Sequence, residues 1–132
     1  MRVALLSCLA LAVALALGRS ALAQPPSAYP DYVPPKPDWV SKPTANDFAR
    51  LYPTQSAEKK VQGVATIQCV FNSEGTLDGC HVLDEDPVGG GFGEASLAIV
   101  ALFHAKRLQL DGAPIVGSVF RTRIRWNLVT RR

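Results

Sequence analysis

The 132-residue chain is poor in the residues on which catalysis and metal binding usually depend. It has two histidines, His81 and His104, and three cysteines, Cys8, Cys69 and Cys80. There is no HExxH, no paired cysteine–histidine spacing and no CxxC, so the common zinc and thioredoxin-type patterns are missing. No serine–histidine–carboxylate spacing links the histidines to a nucleophile. A metal site built from them with Asp84, Glu85 and Asp86 is not expected. No cofactor is expected, and no activity as an enzyme. An excess of one charge is also lacking: 14 Lys and Arg face 11 Asp and Glu. Such near balance argues against nucleic acid as a partner. What is present is a folding composition, 48% hydrophobic and 19% charged, in a length that suits one domain.

The N-terminus reads as an export signal. Arg2 precedes an uncharged Ala- and Leu-rich run from Val3 to Gly18, and Ala21-Leu22-Ala23 forms an A-x-A site. Residues 1–23 are expected to be removed between Ala23 and Gln24. The alternative is an uncleaved membrane anchor. A run of that length makes roughly 24 Å of helix, short of a hydrocarbon core of about 30 Å. Cys8 leaves with the signal. Cys69 and Cys80 remain, and two cysteines in an exported chain read as a disulfide.

Residues 24–45 hold seven of the ten prolines and are expected to be a linker, with residues 46–132 as the domain. Trp39, within the linker, is expected to dock onto the domain rather than stay in water. Ala45 to Gln55 has helical spacing at Phe48, Leu51 and Tyr52, with Thr44 or Asn46 as cap and Pro53 as terminator.

Gly63 to Phe71 alternates as a strand, and Thr76 to Leu83 returns after Asn72-Ser73-Glu74-Gly75. A two-residue loop of Glu74 and Gly75 puts Cys69 opposite Cys80, where cross-strand Cβ atoms suit a disulfide. Strict alternation then sets Leu77 and Cys80 on opposite faces. A bulge near Gly79 removes that conflict and shifts the pairing by one.

Asp84 to Gly93 is expected to be a loop. Its glycines superficially resemble a phosphate cradle, but there is no P-loop Lys, and the reading taken is an entry that turns Phe92 into the core. Glu94 to Arg107 is expected to be a helix with Ala95, Ala98, Ile99 and Leu102 on one face. Val116 to Val129 is expected to be a strand. Phe120, Thr122, Ile124, Trp126 and Leu128 take its apolar face, and Arg121, Arg123, Arg125 and Asn127 the other. The arginine ladder has two readings: charge that protects a sheet edge, or a surface for an anionic partner.

The ordered set Trp39, Pro43, Phe48, Tyr52-Pro53, Gly63, Cys69, Gly75, Leu77, Cys80, Val82, Glu85, Pro87, Gly91-Phe92-Gly93, Ala95, Asp111-Gly112, Pro114 and Gly117 resembles the C-terminal domain of TonB-type energy transducers. The resemblance is nearest to a small cysteine-containing branch, and it runs from Trp39 to Leu128. It implies an α+β fold with a three-stranded antiparallel sheet and two helices packed on one side. It also implies strand addition as the binding mode. The partner would be the N-terminal segment of an outer-membrane transporter, the TonB box, or another envelope protein. The expected platform is the final strand, with Phe120, Arg121, Thr122, Arg123, Ile124, Arg125 and Trp126 as the partner-binding edge. Homodimers by strand exchange are compatible with such an edge. A full transducer keeps its N-terminal helix as an anchor and usually has a longer proline-rich spacer. The reading is therefore a periplasmic binding module linked to TonB-dependent transport. The alternatives are a short anchored transducer in the inner membrane, and an envelope adaptor for anionic cell-wall or lipid groups.

Overall fold

The computed structural model describes residues 32–128. The expected signal segment, with Ala23 and Gln24, lies outside those residues. In chain order the elements are β1 (Trp39–Ser41), α1 (Ala45–Leu51), α2 (Thr54–Glu58), β2 (Gly63–Phe71), β3 (Leu77–Asp86), α3 (Phe92–Val100), β4 (His104–Ala105) and β5 (Val119–Trp126). The main sheet is antiparallel throughout, in the order β3-β2-β5. β1 and β4 form a separate two-stranded ladder.

Period-two alternation explains the centre of the molecule. Ala65, Ile67, Cys69 and Phe71 of β2 are all buried on one face, as are Ile124 and Trp126 of β5. α3 covers that face with Phe92, Ser96, Ile99 and Val100. α1 and Tyr52 add Phe48, Leu51 and the phenol ring at its margin. Gly63 has no side chain because Phe92 occupies the place of its Cβ. A second cluster joins Phe71, Ala105 and Ile115 with Trp39 and Phe120.

The cap of α1 is Thr44: its hydroxyl accepts from the Asp47 amide, while the Asp47 carboxylate accepts from the Thr44 amide, a capping box. These bonds and Arg50 hold the Asp47 carboxyl below its ordinary 3.8, the backbone amide of Thr44 contributing most.

The disulfide forms between Cys69 and Cys80, whose Cα atoms are 4.1 Å apart. The ladder slips between Gln68 and Val70, opposite Gly79, which has φ of +59°. The bulge inferred from the two faces of Leu77 and Cys80 is therefore present. The loop is not the expected Glu74-Gly75 pair, because Phe71 pairs with Leu77. The Asn72 carboxamide accepts from the amides of Glu74 and Thr76, which fixes a three-residue loop closed by Gly75 at φ +85°.

Several boundaries differ from expectation, each for a local reason. The expected helix Ala45 to Gln55 is two helices, because Pro53 ends one and starts the next. The acidic run 84–86, expected in a loop, continues β3 and pairs with residues 64–66. Glu85 faces inward there, and its carboxylate accepts from the Gly93 amide at 2.7 Å, at the start of α3. The chain's own acid thus occupies the anion-binding end of that helix, and Phe92 is fully buried beside it.

The helix expected over 94–107 spans Phe92–Val100 instead. Tight turns close on the carbonyls of Ile99 and Val100, and the chain leaves the helix axis so that Phe103 meets Trp39 at 5.0 Å. Lys106 is therefore not at a helix end. It pairs with Asp38 at 2.7 Å. On α3 the buried face runs through Phe92, Ser96 and Ile99, with Ala98 and Leu102 exposed. Ser96 holds a core position because its hydroxyl accepts the indole N–H of Trp126 at 2.8 Å.

The expected linker enters the fold well before residue 46. Trp39–Ser41 is β1, Lys36 and Asp38 bond to the 106–110 segment, and Trp39 packs on Phe71, Phe103 and Phe120. The final strand is shorter than expected, Val119–Trp126, because Gly117 turns at φ +81° to bond the Phe71 carbonyl.

Candidate partner-binding edge

The face of the sheet away from the helices carries charge in columns. Register sets Val64 between Asp86 and Arg125, Thr66 between Asp84 and Arg123, and Gln68 between His81 and Arg121. One outer strand is acidic, the other basic, with β2 between them. Neighbouring strands lie about 4.8 Å apart, so the two columns are separated by roughly 10 Å. Neither Arg123 nor Arg125 makes an ion pair among the described residues. Gln62, Asp86, Arg123, Arg125 and Asn127 line an open depression of about 320 Å³ at the end of this face.

The sheet has two outer edges, and they differ. β3 carries two register shifts, a disulfide and outward acids, features that disturb regular pairing. β5 pairs with β2 over eight consecutive positions without a shift. Antiparallel strands direct alternate residues' amides to opposite sides. The Arg121 amide points outward, where it donates to the Tyr32 hydroxyl at 3.0 Å. By the same alternation Arg123 and Arg125 turn their amides and carbonyls to the open side. No contact covers those two amides among the described residues.

Phe120, Thr122, Ile124 and Trp126 take the helix side of β5, as expected. The Arg121 guanidinium donates twice to the Gln68 side chain and lies 4.4 Å from the Tyr32 ring centroid. The far end is fixed by Tyr52, whose hydroxyl donates to Val61 O at 2.7 Å and to Trp126 O at 3.4 Å. Burial raises the Tyr52 pKa above its usual 10.0. The histidines lie on different elements, each against a backbone carbonyl, of Gly79 and Glu74. Among the described residues no three His, Cys, Asp or Glu side chains converge as a metal site.

Sequence reasoning missed two parts of this surface. Tyr32 stands out in the sequence only as an aromatic of the proline-rich segment, and its contact with Arg121 did not show because that partner lies 89 residues away. The acidic column did give one, since Asp84 and Asp86 are spaced by two, the period of a strand.

The profile of the family described as Gram-negative bacterial TonB protein C-terminal matches residues 49–128. The chain belongs to this TonB C-terminal family. An uncharacterized protein of Caulobacter vibrioides is 34% identical over 62 residues, which is 47% of this chain and 62% of that protein. The chain thus spans about three-fifths of the curated relative it matches. The solution structure of the Pseudomonas aeruginosa TonB C-terminal domain aligns with TM-score 0.50 at 20% identity, over 61% of this chain and 80% of that one. At that identity the likeness concerns the fold alone. Among the described residues no helix is long and apolar enough to cross a membrane.

Proposed function

We propose that this TonB-like protein binds envelope partners by β-strand addition to β5, as part of TonB-dependent transport across the outer membrane. The observation that carries the reading is the contrast between the two edges of the sheet. β5 is long, regular and in unbroken register, whereas β3 is twice bulged. A strand laid beside β5 gains main-chain hydrogen bonds to Arg123 and Arg125. On the helix side its alternate side chains pass the aromatic pairs that flank the strand, Trp39–Phe120 and Phe48–Trp126. The partner class is the N-terminal segment of an outer-membrane transporter.

Export by the signal segment, with cleavage between Ala23 and Gln24, places the domain in the periplasm as a binding module. The disulfide suits that oxidising compartment. Two measurements test the reading. Hydrogen exchange, with and without a strand-forming transporter peptide, is expected to show new protection at the Arg123 and Arg125 amides. Protection on β3, or none, overturns strand addition at β5. The intact mass of the native protein is expected to begin at Gln24. A mass beginning at Met1, from the membrane fraction, replaces the soluble module with an anchored transducer.

A further inference from the structure

The geometry points to an acidic strand as the partner: a segment with Asp or Glu at every second position, selected by the arginine column of β5. The inference rests on the strand-addition reading and adds to it the chemistry of the segment. In any added strand, residues directly opposite Arg121, Arg123 and Arg125 project to the same sheet face as those arginines. The match therefore requires acids at spacing two on one face and leaves the other face free for apolar side chains.

Three observations favour acids there. Arg121 is already positioned by Gln68 and the Tyr32 ring. Arg123 and Arg125 are exposed and have no ion-pair partner among the described residues. The protein's own acids, Asp84 and Asp86, stand on the opposite side of β2, one full strand further than a direct cross-strand pair allows. At Arg123 and Arg125, β5 thus presents positive charge that the described residues of the sheet leave unmatched. A lysine at those partner positions meets like charge directly opposite, which is destabilising.

The test uses the full oxidised chain and three synthetic peptides of equal length. One alternates Val with Asp, the second alternates Val with Asn, and the third is the Asp peptide interrupted by two prolines. Fluorescence anisotropy at low salt is expected to show the Asp peptide binding about tenfold tighter than the Asn peptide, from two or three cross-strand charge pairs. The ratio is expected to fall in 0.5 M salt and to vanish in the Arg123→Gln, Arg125→Gln double variant. These two side chains are exposed, and an unchanged circular dichroism spectrum verifies that the variant is folded. Equal affinity for the Asp and Asn peptides overturns the acidic preference while strand addition stands. Equal affinity for the proline-interrupted peptide overturns edge pairing and leaves only nonspecific attraction of an anion. Binding of none of the three overturns strand addition and this inference together.

Discussion

Replacing Ser96 with alanine isolates a polar contact at the centre of the core. Trp126 and Ser96 are both fully buried, and the indole N–H reaches the serine oxygen at 2.8 Å. Among the described residues no buried side-chain nitrogen or oxygen lacks a partner. Ser96→Ala breaks that condition by leaving the indole donor without an acceptor. A buried donor left unsatisfied costs about 1–3 kcal/mol. Alanine is the better helix former, by about 0.5 kcal/mol, so the net loss is about 0.5–2.5 kcal/mol. For a domain of this size each kcal/mol moves the melting temperature by roughly 4–8 °C. The melting temperature is therefore expected to fall by roughly 2–20 °C in a circular-dichroism melt. Urea titration followed by tryptophan fluorescence gives the same quantity at fixed temperature. The Trp126→Phe background supplies the control, since the donor is gone and the serine hydroxyl bonds back to its own helix. There the Ser96→Ala change is expected to be neutral or slightly stabilising. An unchanged midpoint for the single variant, or equal effects in both backgrounds, refutes the account of Ser96 as a core acceptor.

Three further outcomes follow from the geometry. Removing the disulfide as Cys69→Ala with Cys80→Ala opens a loop with a sequence separation of 11. By chain entropy this costs about 3 kcal/mol, and identical melting curves with and without reductant refute it. Tyr32→Phe keeps the ring beneath Arg121 but removes the hydroxyl that caps its amide. Exchange at the Arg121 amide is expected to accelerate, and strand peptides to bind about two- to tenfold tighter. Unchanged exchange shows that Tyr32 does not cover the edge in solution. The depressed Asp47 pKa means that the capping box contributes fully above the ordinary value of 3.8 and is lost as pH falls through the lower folded value. NMR titration of the Asp47 carboxyl is expected to show a midpoint below 3.8, and fraying of α1 to follow it. A midpoint at or above that value refutes the cap.

The readable parts of the fold were those encoded by local alternation. The strand at Gly63–Phe71, the two faces of the Phe120–Trp126 segment and the cysteine pair follow from period two and a glycine turn. Even the bulge at Gly79 showed itself, as a conflict between Leu77 and Cys80. The end of α3 was not readable in this way. Residues 101–107 retain good helix formers, and the helix stops because Phe103 and Ala105 complete a cluster whose other members lie far away in sequence. Ser96 was passed over because a polar residue reads as surface until its buried partner is known. The acidic strand end was misread for a similar reason, since Asp and Glu are poor strand formers and the use of Glu85 depends on the start of α3. At the proposed binding edge, the arginine column was plain from the alternation. Its open side was not, because which strand lies outermost is a property of topology.

The opposed columns of the sheet also bear on how a partner arrives. Asp78, Asp84 and Asp86 along β3 and the three arginines along β5 make the exposed face an electric dipole that lies across the strands. An acidic segment diffusing toward the domain is repelled on one flank and attracted on the other before any hydrogen bond forms. Over a screening length of about 8 Å at physiological ionic strength, this sorts approaches to the two flanks at the last stage of the encounter. Under the strand-addition proposal, the acids of β3, which take no part in the bound complex, thus raise the fraction of collisions that end beside β5.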